Sequence, residues 1–167
     1  WFYDAVCAMA ESGIMIGKDE THFDPNASLT RGEWVTLLYR VAGSPAVDEP
    51  CTFTDVPAGR YFSDAFAWAE DTGIVLGVTD GLGAPSMTIT REQMVSTLYR
   101  FDGMNYVKFD LSVFSDVNLV SYYAFDAFEW AVANGYIRGM TATTLAPNGL
   151  ANRAQIATIL ARYLGLI

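Results

Sequence analysis

Apolar positions recur at helical spacing in three stretches of the chain, and the stretches resemble one another. In YFSDAFAWAEDTGIVLG (61–77), Phe62, Ala65, Phe66 and Ala69 fall at i, i+3, i+4 and i+7, with Trp68 beside them. That spacing predicts an amphipathic helix. Gly73 follows as a left-handed C-cap, and a short apolar stretch leads to Gly77. A loop through Gly83, Ala84 and Pro85 then opens onto a second predicted helix, over 91–102. In the first copy the second helix spans 31–42, and Trp34, Leu37, Leu38 and Val41 form its buried stripe.

The stretch WFYDAVCAMAESGIMIG (1–17) matches 61–77 at an offset of 60 residues, and YAFDAFEWAVANGYIRG (123–139) matches it at 62. The register continues through Pro25, Pro85 and Pro147 to a third second helix at 153–164. FTDV (53–56) and FSDV (114–117) stand ahead of the later copies. They read as short strands or turns in which Asp55 and Asp116 cap the local backbone. Each copy is therefore helix–loop–helix. Two helices bury too little to fold alone, so three copies sharing one helical core are expected, an all-α fold. The boundaries are repeat 1 at 1–43, a Pro-rich linker at 44–52, repeat 2 at 53–103, a more apolar linker at 104–113 that is expected to pack, and repeat 3 at 114–167. Repeat 1 lacks the FxDV element, and the opening on WFYDAV falls in mid-pattern, as in a piece of a longer protein.

The second helices open in an unusual way. Thr30, Thr90 and Asn152 are good N-caps, and Glu33, Gln93 and Gln155 stand three residues on, at capping-box spacing. Between them, at the first helical position, stand Arg31, Arg91 and Arg153. The helix dipole opposes a cation there by a few tenths to about 1 kcal/mol. Three in register imply a compensating anion. One candidate is internal: Asp4, Asp64 or Asp126 on the first helices. The other is an external carboxylate or phosphate, which the guanidinium fork and free helix-start amides together would suit. Arg40, Arg100 and Arg162, nine residues further on, favour the dipole in the last turn and need no ligand.

Composition narrows the partners. Half the residues are hydrophobic, 51%, and only 17% are charged, which describes a folded chain. The net charge of −9 disfavours nucleic acid but not an anion held by a few local arginines. No apolar run approaches the 18 residues of a membrane span. Cys7 and Cys51 read as buried thiols or as a disulfide of an exported protein, not as metal ligands. His22 is alone, and the acidic KDETHFD (18–24) lacks the alternation and glycine of a calcium loop. DGLG (80–83) has no strand–GxGxxG context for a phosphate loop. No nucleophile–base pair is apparent, so neither catalysis nor a cofactor is expected.

FSDV…YYAFDAFEWAVANGYIRG…LAPNGLANRAQIATILAR resembles an S-layer homology repeat, and the resemblance extends over nearly the whole chain as three tandem copies. It implies a pseudo-threefold, three-pronged spindle around a shared helical core. Grooves between its prongs would bind secondary cell-wall polysaccharides of Gram-positive envelopes, often ending in a pyruvylated amino sugar. The T-R-A-E arginine would lie in a groove and pair with the ligand carboxylate. Here TRGE, TREQ and NRAQ stand in that place, so the acid survives only at Glu33 and the grooves are not equivalent. The expected module is non-catalytic, extracellular, monomeric in isolation and not inserted in a membrane. It would anchor a surface protein to an anionic wall polysaccharide or a peptidoglycan-linked polymer. The ligand-binding candidates are Arg31, Arg91, Arg153, Asp4, Asp64, Asp126, Glu33 and the aromatic residues Trp1, Tyr61 and Tyr123 that start the first helices. The competing reading is a protein–protein assembly module using the same faces. An enzyme acting on wall glycan ranks below both, because the acids are scattered rather than paired.

Overall fold

The computed structural model describes residues 1–19, 21–79 and 81–167. Six α-helices carry the fold: α1 (Tyr3–Glu11), α2 (Arg31–Val41), α3 (Ser63–Asp71), α4 (Arg91–Phe101), α5 (Phe125–Ala133) and α6 (Arg153–Tyr163). Among the described residues β-structure is limited to isolated bridges, such as Thr30 with Thr88 and Thr90 with Leu150. The fold is all-α, as the periodicity predicts. Each first helix ends at a glycine in the left-handed region, Gly13, Gly73 and Gly135, with φ of 71°, 72° and 74°.

The chain divides into two compact units, one built from residues 1–28 and 90–167 and the other from 29–89. In the smaller unit α2 packs on α3. Its core joins Leu29, Trp34, Val35 and Leu38 to Phe53, Phe66 and Ile89, all buried. In the larger unit α4 packs on α5 and α6 packs on α1. Here Met9, Met94, Leu98, Phe128, Trp130, Ile156 and Leu160 are buried. The helices of one sequence repeat are not the ones paired. A second helix packs on the first helix of the following repeat, and α6 packs on the first helix of the chain. The reason is the loop between the helices of one repeat, which is long enough to carry the second helix away from the first.

The FxDV elements are turns, not strands. They bury Phe53 and Phe114. Their aspartates do not cap the local backbone, as the sequence suggests, but reach about 30 residues on. Asp55 Oδ1 and Oδ2 accept from Gly83 N and Ala84 N, both at 2.8 Å. Asp116 accepts from Leu145 N at 2.8 Å and Ala146 N at 2.7 Å. Ala84 and Ala146 are alanines held at φ of 51° and 50°, each before a proline. Left-handed alanine costs on the order of 1 kcal/mol, and the carboxylate bonds offset it. In the 104–113 linker only Leu111 is buried, on a 3₁₀ turn, so that segment packs through one side chain. Cys7 and Cys51 are free thiols, which removes the disulfide alternative.

Candidate functional site

All three second helices begin with a complete capping box. Thr30, Thr90 and Asn152 each accept from the N3 amide, and the N3 side chain accepts from the cap amide. The arginine that follows each cap is buried, with 4%, 3% and 7% of its surface exposed at Arg31, Arg91 and Arg153. Each Nε donates to a carbonyl in the loop of the next repeat: Arg31 to Gly83 O at 3.0 Å, Arg91 to Leu145 O at 2.9 Å, Arg153 to Phe23 O at 2.7 Å. Gly83 and Leu145 are the residues whose amides Asp55 and Asp116 hold. The aspartate of each FxDV turn thus fixes the carbonyl that receives the arginine. Arg153 also makes an Nη2 bond to Ile16 O at 2.7 Å and stacks on the Phe23 ring at 4.6 Å.

Two expectations about these helix starts need correction. The first-turn amides are not free to receive an anion. Arg31 N and Gly32 N donate to Met87 O and Pro85 O, Arg91 N and Glu92 N to Gly149 O and Pro147 O, and Arg153 N and Ala154 N to Ala27 O and Pro25 O. These carbonyls quench the positive helix end and answer the dipole objection to a cation there. Nor does the first-helix aspartate face Arg91. The carboxylate acting on Arg91 is Asp116, which supports its charge against a burial that pulls the guanidinium down to about 10. Asp4, Asp64 and Asp126 are exposed in the first turns of α1, α3 and α5.

In the larger unit Arg91 opens onto a groove of about 360 Å³. That lies at the lower end of the roughly 300–1,000 Å³ typical of small-molecule sites. One wall is the Tyr136–Met140 loop, another is the face of α6 bearing Gln155, Thr158, Ile159 and Arg162, and Trp1 stands at the side. Three arginines, Arg91, Arg138 and Arg162, line it, and no carboxylate does. The Arg91 side chain makes no hydrogen bond to a described residue beyond the one from Nε, and the residue lines the groove. Arg162 is steadied by an Nη1 bond to Tyr136 O at 3.3 Å. Tyr136 in turn packs on Trp130, with ring centroids 5.1 Å apart. In a chain of net charge −9 this is a local cationic, aromatic-edged cleft.

The S-layer homology domain profile matches residues 1–33, 52–95 and 113–157. The chain belongs to the S-layer homology family. It is 30% identical over 165 residues to a Surface-layer 125 kDa protein of Lysinibacillus sphaericus, covering 95% of this chain and 14% of that protein. It is 29% identical over 165 residues to an Amylopullulanase of Thermoanaerobacterium thermosulfurigenes, covering 96% and 9%. A Cellulosome-anchoring protein of Acetivibrio thermocellus is 24% identical over 148 residues, covering 85% and 33%. The chain thus spans a third or less of the length of each of these relatives.

Within this S-layer homology domain the sequence candidates separate. Arg91 and Trp1, itself 81% exposed, line the cationic groove. Glu33 is engaged in its capping box, its Oε2 accepting from Thr30 N at 2.7 Å. Tyr123 donates from its hydroxyl to Glu92 Oε1 at 2.9 Å, and Ser121 donates to the same buried carboxylate. Tyr61 is exposed and stands beside Glu33 and Thr30, and partial burial pushes its phenol up. Asp64 lines a separate, acidic hollow with Asp48 and Glu49. Sequence reasoning missed Arg138, Arg162, Tyr136 and Gln155. One signal was available. Arg138 stands in GYIRG where the other repeats carry GIVLG and GIMIG, so an arginine replaces Leu76 and Ile16.

Among the described residues no group of His, Cys, Asp or Glu could hold a metal. The 18–24 loop is closed on itself, with Asp19 accepting from Thr21 N at 2.8 Å and His22 N at 2.9 Å. Glu20 of that loop, and Asp80 of DGLG, lie outside the described residues. Among the described residues no helix is long and apolar enough to cross a membrane.

Proposed function

We propose that this domain anchors a larger surface protein to the bacterial cell wall by binding an anionic wall polysaccharide, pyruvylated in the form the family resemblance implies. The observation that carries the reading is the groove at Arg91. A guanidinium whose terminal nitrogens make no hydrogen bond to a described residue, in a groove with an exposed tryptophan and no carboxylate among its described lining residues, suits a sugar acid. Arg31 and Arg153 hold the corresponding helix positions and are proposed as further ligand contacts. Glu33, Asp4, Asp64 and Asp126 would act on the ligand through neighbours, and Tyr61 and Tyr123 as groove walls. The Surface-layer and Cellulosome-anchoring relatives support placement at the cell surface. Their greater length supports an anchoring role in which other domains carry any catalysis.

The test is sedimentation of the domain with purified Gram-positive walls, intact and stripped of secondary polymer by dilute acid. Retention on intact walls that is lost on stripped walls and in Arg91→Ala supports polysaccharide anchoring. Equal retention on both favours the assembly reading, in which a wall protein is the partner.

A further inference from the structure

We propose that the groove beside Arg91 takes two anionic groups at once, carried by adjacent sugars of an acidic saccharide, with Arg91 holding one and Arg138 and Arg162 holding the other. The proposal rests on the reading of that groove as an anion site and says what it selects.

A single carboxylate needs one fork. This groove has three guanidinium groups and no carboxylate among its described lining residues, and the carboxylate of Asp116 outside the lining acts on Arg91. Arg138 is exposed and makes no hydrogen bond or ion pair to a described residue. Arg162, half-buried, spends one nitrogen on Tyr136 O and keeps the others. The two lie close enough to repel. Burial first, and then the charge of Arg138, lower the affinity of Arg162 for its proton. Like charges held together without a counter-charge are unfavourable, and a bound anion relieves both at once. Arg91 is fixed separately on the other wall by Leu145 O, so the two anion positions do not share a donor.

The second position is peculiar to repeat 3. At the place of Arg138 the other repeats carry Leu76 and Ile16, which are exposed and apolar. Charge selection in this groove is therefore removable by restoring the residue of a sister repeat, without touching a helix or the core.

Galacturonic acid and digalacturonic acid, with one and two carboxylates, are titrated calorimetrically into the wild-type domain, Arg138→Leu, Arg162→Gln and Arg91→Ala. The wild type binds the diacid about tenfold or more tighter than the monoacid, as expected of one added charged contact. Arg138→Leu brings the two affinities together by weakening the diacid more than the monoacid. Arg162→Gln narrows the ratio, and Arg91→Ala weakens both. Equal affinity of wild type for the two probes overturns the proposal, as does an unchanged ratio in Arg138→Leu. Failure of both probes to bind while walls are still retained through Arg91 overturns it and leaves wall anchoring standing. Loss of wall retention with the diacid preference intact overturns anchoring alone.

Discussion

Arg91→Met separates the structural and binding roles of one side chain. Methionine keeps an unbranched stem of similar reach and removes the charge. Burial lowers the guanidinium from its ordinary value to about 10, which corresponds to about 3 kcal/mol of destabilisation relieved by the substitution. Against this, the bond from Nε to Leu145 O is lost, and leaving a buried partner unmet costs about 1–3 kcal/mol. The net lies between cancellation and a gain of about 2 kcal/mol, so Tm should stay level or rise, by no more than about 4–8 °C for a chain of this size. Wall-polymer affinity should fall by about 1.5–3 kcal/mol, roughly 10- to 150-fold, because the charged contacts are gone. Arg91→Lys should also bind weakly, since an ammonium cannot reproduce the planar fork. Thermal unfolding and titration of soluble wall polymer on the same samples decide it. A fall in Tm of about 10 °C or more with affinity retained would make Arg91 a brace for the loop and refute its assignment to an anion site.

Asp116→Ala removes the acceptor of Leu145 N and Ala146 N and should cost about 3 kcal/mol in urea unfolding, with Asp116→Asn recovering part through its single carbonyl oxygen. Thr90→Ala deletes one capping-box acceptor and should cost about 0.5–2 kcal/mol by thermal melting. Ser96→Ala should be neutral or raise stability by up to about 1 kcal/mol in the same melt. The Ser96 hydroxyl is buried with no hydrogen-bond partner among the described residues, whereas Thr36 and Thr158 at the equivalent positions bond to Gly32 O and Ala154 O.

The local structure was legible because it is written in short-range chemistry. Apolar spacing located six helices, and a polar cap followed by Glu or Gln located three of their starts to the residue. Helix pairing was not legible. Periodicity says which face of α5 is apolar, and α4 and α6 offer that face equally good partners. The role of Asp116 was also hidden, because its acceptor geometry closes on residues about 30 positions away. In the groove, Arg91 stood out through its awkward position at a helix start. Arg162 did not, because a cation in the last turn of α6 already has a sufficient local explanation. Arg138 was visible as a break in repeat symmetry at an exposed position, and only the fold places it beside Arg162 and Arg91.

The arginines resolve into a division of labour within one side chain. At Arg91, Nε binds the loop carbonyl that Asp116 has positioned, and the residue lines the groove. The stem and the first nitrogen thus serve the fold. On the proposed reading the remaining donors would serve a ligand at little further loss of conformational freedom, since the side chain is already fixed before binding. The same fixation explains why the helix start is a suitable mount despite its dipole. Carbonyls from the neighbouring loop take up the first two amides, so the cation meets a satisfied helix end. At Arg153 the partition differs. Arg153 gives a second nitrogen to Ile16 O and lays its guanidinium on Phe23. Fewer of its donors then remain for a ligand than at Arg91. On this argument the three arginines, alike in sequence, contribute unequally to anion binding, and Arg153→Ala should lose stability where Arg91→Ala loses affinity. Melting curves and wall-polymer titrations of the two variants would show the reverse order if the number of donors engaged by the fold did not set this partition.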